Sequence, residues 1–111
     1  MLDLTRILAG PTCGRTLAEH RAEVLLVSAP QLPSVKAFVL DTCQGKRSAC
    51  LNLDQPGDQA ALQALGAGAD VFSQSFRARR LARRGLAPKA LAGVRPGIVC
   101  VSINCYGHAG P

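Results

Sequence analysis

Glu23-Val24-Leu25-Leu26-Val27 decides the fold. One acid followed by an uninterrupted apolar run is what a parallel strand covered on both faces requires. Working toward the N-terminus, residues 11–19 read as a helix opened by Pro11, with Ala9-Gly10-Pro11 turning the chain before it. Ahead of that turn, residues 1–4 form a short apolar start. Toward the C-terminus, residues 28–44 contain Pro30 and Pro33 and wander, with a short helical piece at 36–40. Gln44-Gly45-Lys46-Arg47 leads into residues 48–53, where Ala49, Leu51 and Leu53 alternate with Ser48, Cys50 and Asn52. That alternation predicts a half-buried strand. Asp54, Pro56 and Gly57 open a helix running to about residue 65, with Ala61, Leu62 and Leu65 on one face and Gly66 and Gly68 ending it.

Residues 70–73 predict a fourth strand, and the arginine-rich segment 76–84 a helix broken by Gly85-Leu86-Ala87-Pro88. A further short helix spans 88–92, and Ile98-Val99-Cys100-Val101-Ser102-Ile103 is the clearest strand of all. Strands alternating with helices of this length predict an α/β fold, Rossmann-like, with a mostly parallel open sheet and flanking helices. Ligands of such sheets sit at the carboxyl ends of the strands. Those ends are residues 5–10, 28–29, 73–76 and 103–107.

The 111 residues suffice for one core and not for two. An apolar fraction of 48% excludes disorder, and no apolar run reaches the roughly 18–20 residues of a membrane helix. Asp3 and Arg6 interrupt the N-terminus where a secretory signal would be basic and then apolar. Five cysteines, odd in number and never spaced as C-x-x-C, predict reduced thiols and no metal site, hence a cytoplasmic chain. The net charge of +6 is local. Arg77, Arg79, Arg80, Arg83 and Arg84 supply five of the 13 basic residues, and the other 8 nearly balance the 7 acids.

Three readings of that cluster stand side by side: a solvated helix surface, a nucleic-acid face, and a phosphate site for a small ligand. As a helix it would place Arg77, Arg80 and Arg84 on one face and Arg79 and Arg83 on another. Only Phe38, Phe72, Phe76 and Tyr106 are aromatic, too few for base stacking along a basic stripe, so nucleic acid is the weakest of the three. Gly45-Lys46-Arg47-Ser48 resembles a phosphate-binding fragment, but it enters a strand and reads as a solvated basic turn. His20 and His108 have no nucleophile paired to them, Cys100 sits inside an apolar strand as an inert thiol, and no two carboxylates adjoin. Spacing alone yields a binding fold without catalytic chemistry.

Leu2-Asp3-Leu4-Thr5-Arg6-Ile7-Leu8-Ala9-Gly10-Pro11 resembles the opening of the class III coenzyme A transferases, the CaiB/BaiF family. Four further blocks follow in that family's order: Ala22-Glu23-Val24; Gly45-Lys46-Arg47-Ser48 with Leu51-Asn52-Leu53; Ala69-Asp70-Val71-Phe72; and the stretch from Arg95 through Ile103 to Tyr106-Gly107-His108-Ala109-Gly110-Pro111. The resemblance implies the N-terminal coenzyme A-binding part of a homodimeric protein that moves coenzyme A between carboxylic acids. An aspartate would attack the acyl-CoA thioester. The resemblance places that nucleophile beyond residue 111, so no catalytic residue is expected in this chain and these residues alone should be inactive. Acyl-CoA racemisation is the alternative within the family, and a non-enzymatic basic binding module the alternative outside it.

Residue by residue, the resemblance assigns Arg6, Ile7, Leu8 and Ala9 to the pantetheine and acyl end. It assigns Leu51, Ser75 and Phe76 to the adenine and pantetheine, Arg83 to the phosphates, and Asn104 to the neighbourhood of the 3′-phosphate. Ser28-Ala29 departs from the acidic-then-basic or proline pair usual after the second strand. Gln74-Ser75-Phe76-Arg77-Ala78-Arg79 stands where Glu-Asn-Phe-x-Pro-Gly is usual, and the loop at residues 28–44 is abbreviated.

Overall fold

The computed structural model describes residues 1–77 and 79–107. His108, singled out above, lies outside them. Five strands, β1 (Leu2–Leu4), β2 (Leu25–Ser28), β3 (Arg47–Cys50), β4 (Val71–Gln74) and β5 (Val99–Ser102), form one sheet in the order β3-β2-β1-β4-β5. Every neighbouring pair is parallel. The chain steps outward one way from β1 through β2 to β3, then crosses to β4 on the other side. The β1–β4 boundary is therefore the switch point at which open α/β sheets bind ligands.

Four helices flank the sheet: α1 (Ala9–Glu19), α2 (Lys36–Thr42), α3 (Pro56–Ala67) and α4 (Pro88–Val94). α1 packs beside α2 and α3 beside α4. Leu2 and Leu4 of β1 and Phe72 of β4 share one sheet face by register and alternation, and they join Leu62 of α3 and Leu91 of α4 in the apolar core. The residues that alternate with them, Asp3 and its partner Ser73, are completely buried yet polar.

The helix at the N-terminus starts at Ala9 and not at Pro11, because the Leu8 carbonyl already accepts the Thr12 N–H at 2.9 Å. Pro11 remains in the first turn, where its missing N–H costs nothing. The third strand stops at Cys50, short of the predicted Leu53. The Leu51 N–H still reaches Ser28, but the Asn52 N–H is taken by the Asp58 carboxylate at 2.7 Å and the ladder ends. On α3 the buried positions are Leu62 and Gly66, whereas Ala61 and Leu65 are exposed. Gly66 lets the Leu91 side chain of α4 approach, which turns that face inward.

The arginine segment is the main correction. Among its described residues it is not an α-helix: Arg79 adopts φ 72°, and Ala82–Arg84 make a single 3₁₀ turn. Leu86 N–H bonds to the Leu81 carbonyl and Gly85 N–H to that of Ala82, both close to 3 Å. This is a Schellman closure, with Gly85 left-handed at φ 70°. Leu81 and Leu86 are both buried, so two apolar anchors override the helix preference of the arginines and alanines between and before them.

Candidate functional site

The site is built from the loops at the carboxyl ends of β1 to β4. Beneath them lies Asp3. One of its oxygens accepts the Thr5 N–H at 3.0 Å and the Thr5 hydroxyl, and the other accepts the Lys46 ammonium at 2.8 Å. Lys46 also donates to the Pro11 carbonyl at 2.7 Å. The Lys46 and Asp3 side chains are 1% and 0% exposed, so the basic turn expected at Gly45-Lys46-Arg47-Ser48 is not solvated at its lysine. Charge burial of this kind is tolerated only when paired and hydrogen-bonded, as it is here.

Above this pair the β1–α1 loop passes through Ile7 at φ 73°, a conformation that β-branched residues avoid. Arg6 donates to the Pro33 carbonyl at 2.9 Å and so ties this loop to the one after β2. Between the two loops opens a shallow, largely apolar cleft of about 130 Å³. Arg6, Ile7, Leu51 and Phe76 all line it, together with Ser28, Ala29 and Phe38. Four of the expected site residues thus come together from the ends of three different strands.

At the end of β4, Gln74 is fixed at both ends of its amide. It donates to the Ser102 hydroxyl and accepts the Phe76 N–H, each at 2.6 Å. That orients Phe76, over whose ring Arg80 sits at 5.5 Å from the centroid. Arg84 does not join a cationic surface. Its guanidinium is mostly buried and donates to the Leu53 carbonyl at 3.0 Å and to Asp54. Arg77 and Arg79 line a second cleft of about 420 Å³ at the ends of β4 and β5, with Gln74, Leu81 and Ser102.

The remaining expected residues lie outside both linings. Leu8 and Ala9 are exposed on the first turn of α1, Ser75 is half-buried beside Phe76, Arg83 is exposed on the 3₁₀ turn, and Asn104 is exposed beyond β5. The spacing of Asp3 and Lys46, more than forty residues apart, carried no sign of their pairing. Burial pushes the Cys100 thiol up, which keeps it protonated and poorly nucleophilic. Among the described residues no group of His, Cys, Asp or Glu could hold a metal ion, and no helix is long and apolar enough to cross a membrane.

A parallel 3-2-1-4-5 sheet with a cleft at the carboxyl ends of its strands defines a Rossmann-like fold. Comparison with known proteins makes this specific: residues 1–111 match the model of CoA-transferase family III, and the chain belongs to that family. It is 36% identical over 115 residues to an acetyl-coenzyme A transferase of Hypoxylon pulicicidum, covering 100% of this chain and 19% of that protein. It is 29% identical over 123 residues to the human succinyl-CoA:glutarate CoA-transferase, covering 100% of this chain and 28% of the relative. A crystal structure of a CAIB/BAIF family protein from Brucella suis superposes with a TM-score of 0.90 at 30% identity, over 99% of this chain and 33% of that one. The chain therefore spans about a fifth to a third of the length of these relatives.

Proposed function

We propose that this chain forms the coenzyme A-binding cradle of a transferase that moves coenzyme A between carboxylic acids. The observation that carries the reading is the apolar cleft in which Arg6, Ile7, Leu51 and Phe76 converge at the carboxyl edge of the sheet of a family III chain. A pantetheine arm is narrow, flexible and mostly apolar, with two amides, and suits a cleft of that lining with the polar Thr5 and Ser28 at its walls. Arg77 and Arg79, which line the second cleft, and Arg83, exposed on the 3₁₀ turn, supply cations for the phosphates, for which guanidinium is geometrically suited. Leu8 and Ala9 on the first turn of α1 border the acyl end, Ser75 the pantetheine, and Asn104 the 3′-phosphate. The carboxylate that attacks the thioester is assigned to residues beyond this chain, and the working protein to a homodimer.

Calorimetry and thermal unfolding at millimolar coenzyme A test the proposal. Binding heat and a raised melting temperature are expected, with Arg83→Ala weakening affinity roughly tenfold for a lost charged hydrogen bond. Absence of both heat and shift overturns the reading. Transferase turnover by the 111 residues alone would overturn the placement of the nucleophile.

A further inference from the structure

We infer that Lys46 is a positioning residue of the candidate site: through Asp3 and Pro11 it holds the β1–α1 loop, from below, in the conformation that turns Ile7 into the cleft. The geometry is that of a clamp. Lys46 directly precedes the first residue of β3, and its ammonium reaches past β2 to the Asp3 carboxylate of β1 at 2.8 Å and the Pro11 carbonyl of α1 at 2.7 Å. The same carboxylate takes the Thr5 N–H at 3.0 Å. Both ends of the loop, Thr5 and Pro11, are therefore fixed to one buried ion pair. Residues 6–9 between them, including Ile7 at φ 73°, are exposed or half-buried.

Strained backbone of that kind persists only where its surroundings over-determine it. The helix has been shaped to admit the pair. A Cβ on Gly14 would fall 2.5 Å from the Asp3 carboxylate and 2.9 Å from the Lys46 ammonium, and one on Gly10 would collide with Thr5. Stability alone does not require the arrangement, since apolar side chains of similar volume often replace a buried ion pair without loss. What apolar residues cannot do is hold a carbonyl and a neighbouring N–H at fixed points. That is the service Lys46 and Asp3 perform for a loop whose Arg6 and Ile7 line the cleft.

The functional half of this inference rests on the reading of the cleft as a coenzyme A site; the loop-holding half does not. The experiment uses the full chain carrying Asp3→Asn together with Lys46→Met, which removes both charges, leaves no uncompensated buried ion and keeps an acceptor for Thr5. Amide hydrogen exchange, the Ile7 backbone chemical shifts and the coenzyme A dissociation constant are measured against wild type. Expected are a retained fold, at least tenfold faster exchange over residues 6–9 with β5 unchanged, Ile7 shifts leaving the left-handed range, and at least tenfold weaker coenzyme A binding. Wild-type loop protection and wild-type affinity in the double variant overturn the inference. So does a double variant that cannot fold, because the pair is then structural. If wild type itself does not bind coenzyme A, the reading of the cleft fails, and the exchange and shift data alone decide whether Lys46 holds the loop.

Discussion

Gly14 is where α1 faces the buried ion pair, and the absence of its side chain is what makes room for a buried carboxylate and ammonium. Gly14→Ala should therefore destabilise the chain by about 1–3 kcal/mol, the usual cost of forcing an extra carbon into a packed site. Gly57 in the first turn of α3 has nothing within 4 Å of the corresponding position, so Gly57→Ala should be neutral or stabilising by about 0.5 kcal/mol. Urea unfolding midpoints of the two variants separate these outcomes, and equal shifts in the same direction would refute the account. At this scale little of the site was legible in advance. Arg6, Ile7, Leu51 and Phe76, which line the cleft, are assigned through the family resemblance alone. Lys46 was misread because a Gly-Lys-Arg-Ser turn looks solvated whenever its distant carboxylate partner cannot be seen. Thiol chemistry offers a second check. Cys100 is half-buried with its thiol pushed up, whereas Cys13 and Cys50 are exposed, so iodoacetamide mapped by mass spectrometry should label Cys100 last.

Elements were read more surely than residues where the signal was local. The apolar run of β2, the prolines opening α3 and α4 and the strand at β5 all appear near their expected places. A continuous apolar run announces a parallel strand without any partner being known. β2 is nevertheless not covered on both faces as expected: only its Val27 is buried and Ser28 is exposed. The failure at residues 76–84 has a physical cause: helix propensity is worth only tenths of a kcal/mol per residue. Two buried leucines and one left-handed glycine outweigh it. Gly85→Ala should accordingly cost about 1–2 kcal/mol, the penalty of a Cβ in the left-handed region, with the Gln63 amide also crowding the new methyl. Because that Schellman closure carries the arginine segment, faster amide exchange over residues 79–86 should accompany the loss. An unchanged exchange pattern would show that Leu81 and Leu86 alone hold the segment.

For the whole molecule, the strand order was not legible, since no local pattern distinguishes β4 beside β1 from β4 beside β3; only the completed sheet places the switch point at the β1–β4 boundary. The same non-local assembly sorts the charge. Arg84 is drawn down to Asp54 and Leu53, and Arg80 lies over Phe76, while Arg77 and Arg79 line the second cleft and Arg83 is exposed on the 3₁₀ turn. Apolar and cationic parts of the proposed cradle are thus separated in space, and the two ends of coenzyme A differ in the same way. Pantetheine, which lacks phosphates, engages only the apolar cleft, so its affinity should be weak and nearly independent of salt. Coenzyme A affinity should be higher and should fall steadily as ionic strength rises from 0.05 to ~0.5 M, where the screening length shortens to a few ångströms. Calorimetric titrations of both ligands across that range make the comparison. Equal salt dependence for the two would remove these arginines from the phosphate assignment while leaving the cleft in place, and tighter binding of pantetheine than of coenzyme A would mean that their surroundings repel what they are assigned to hold.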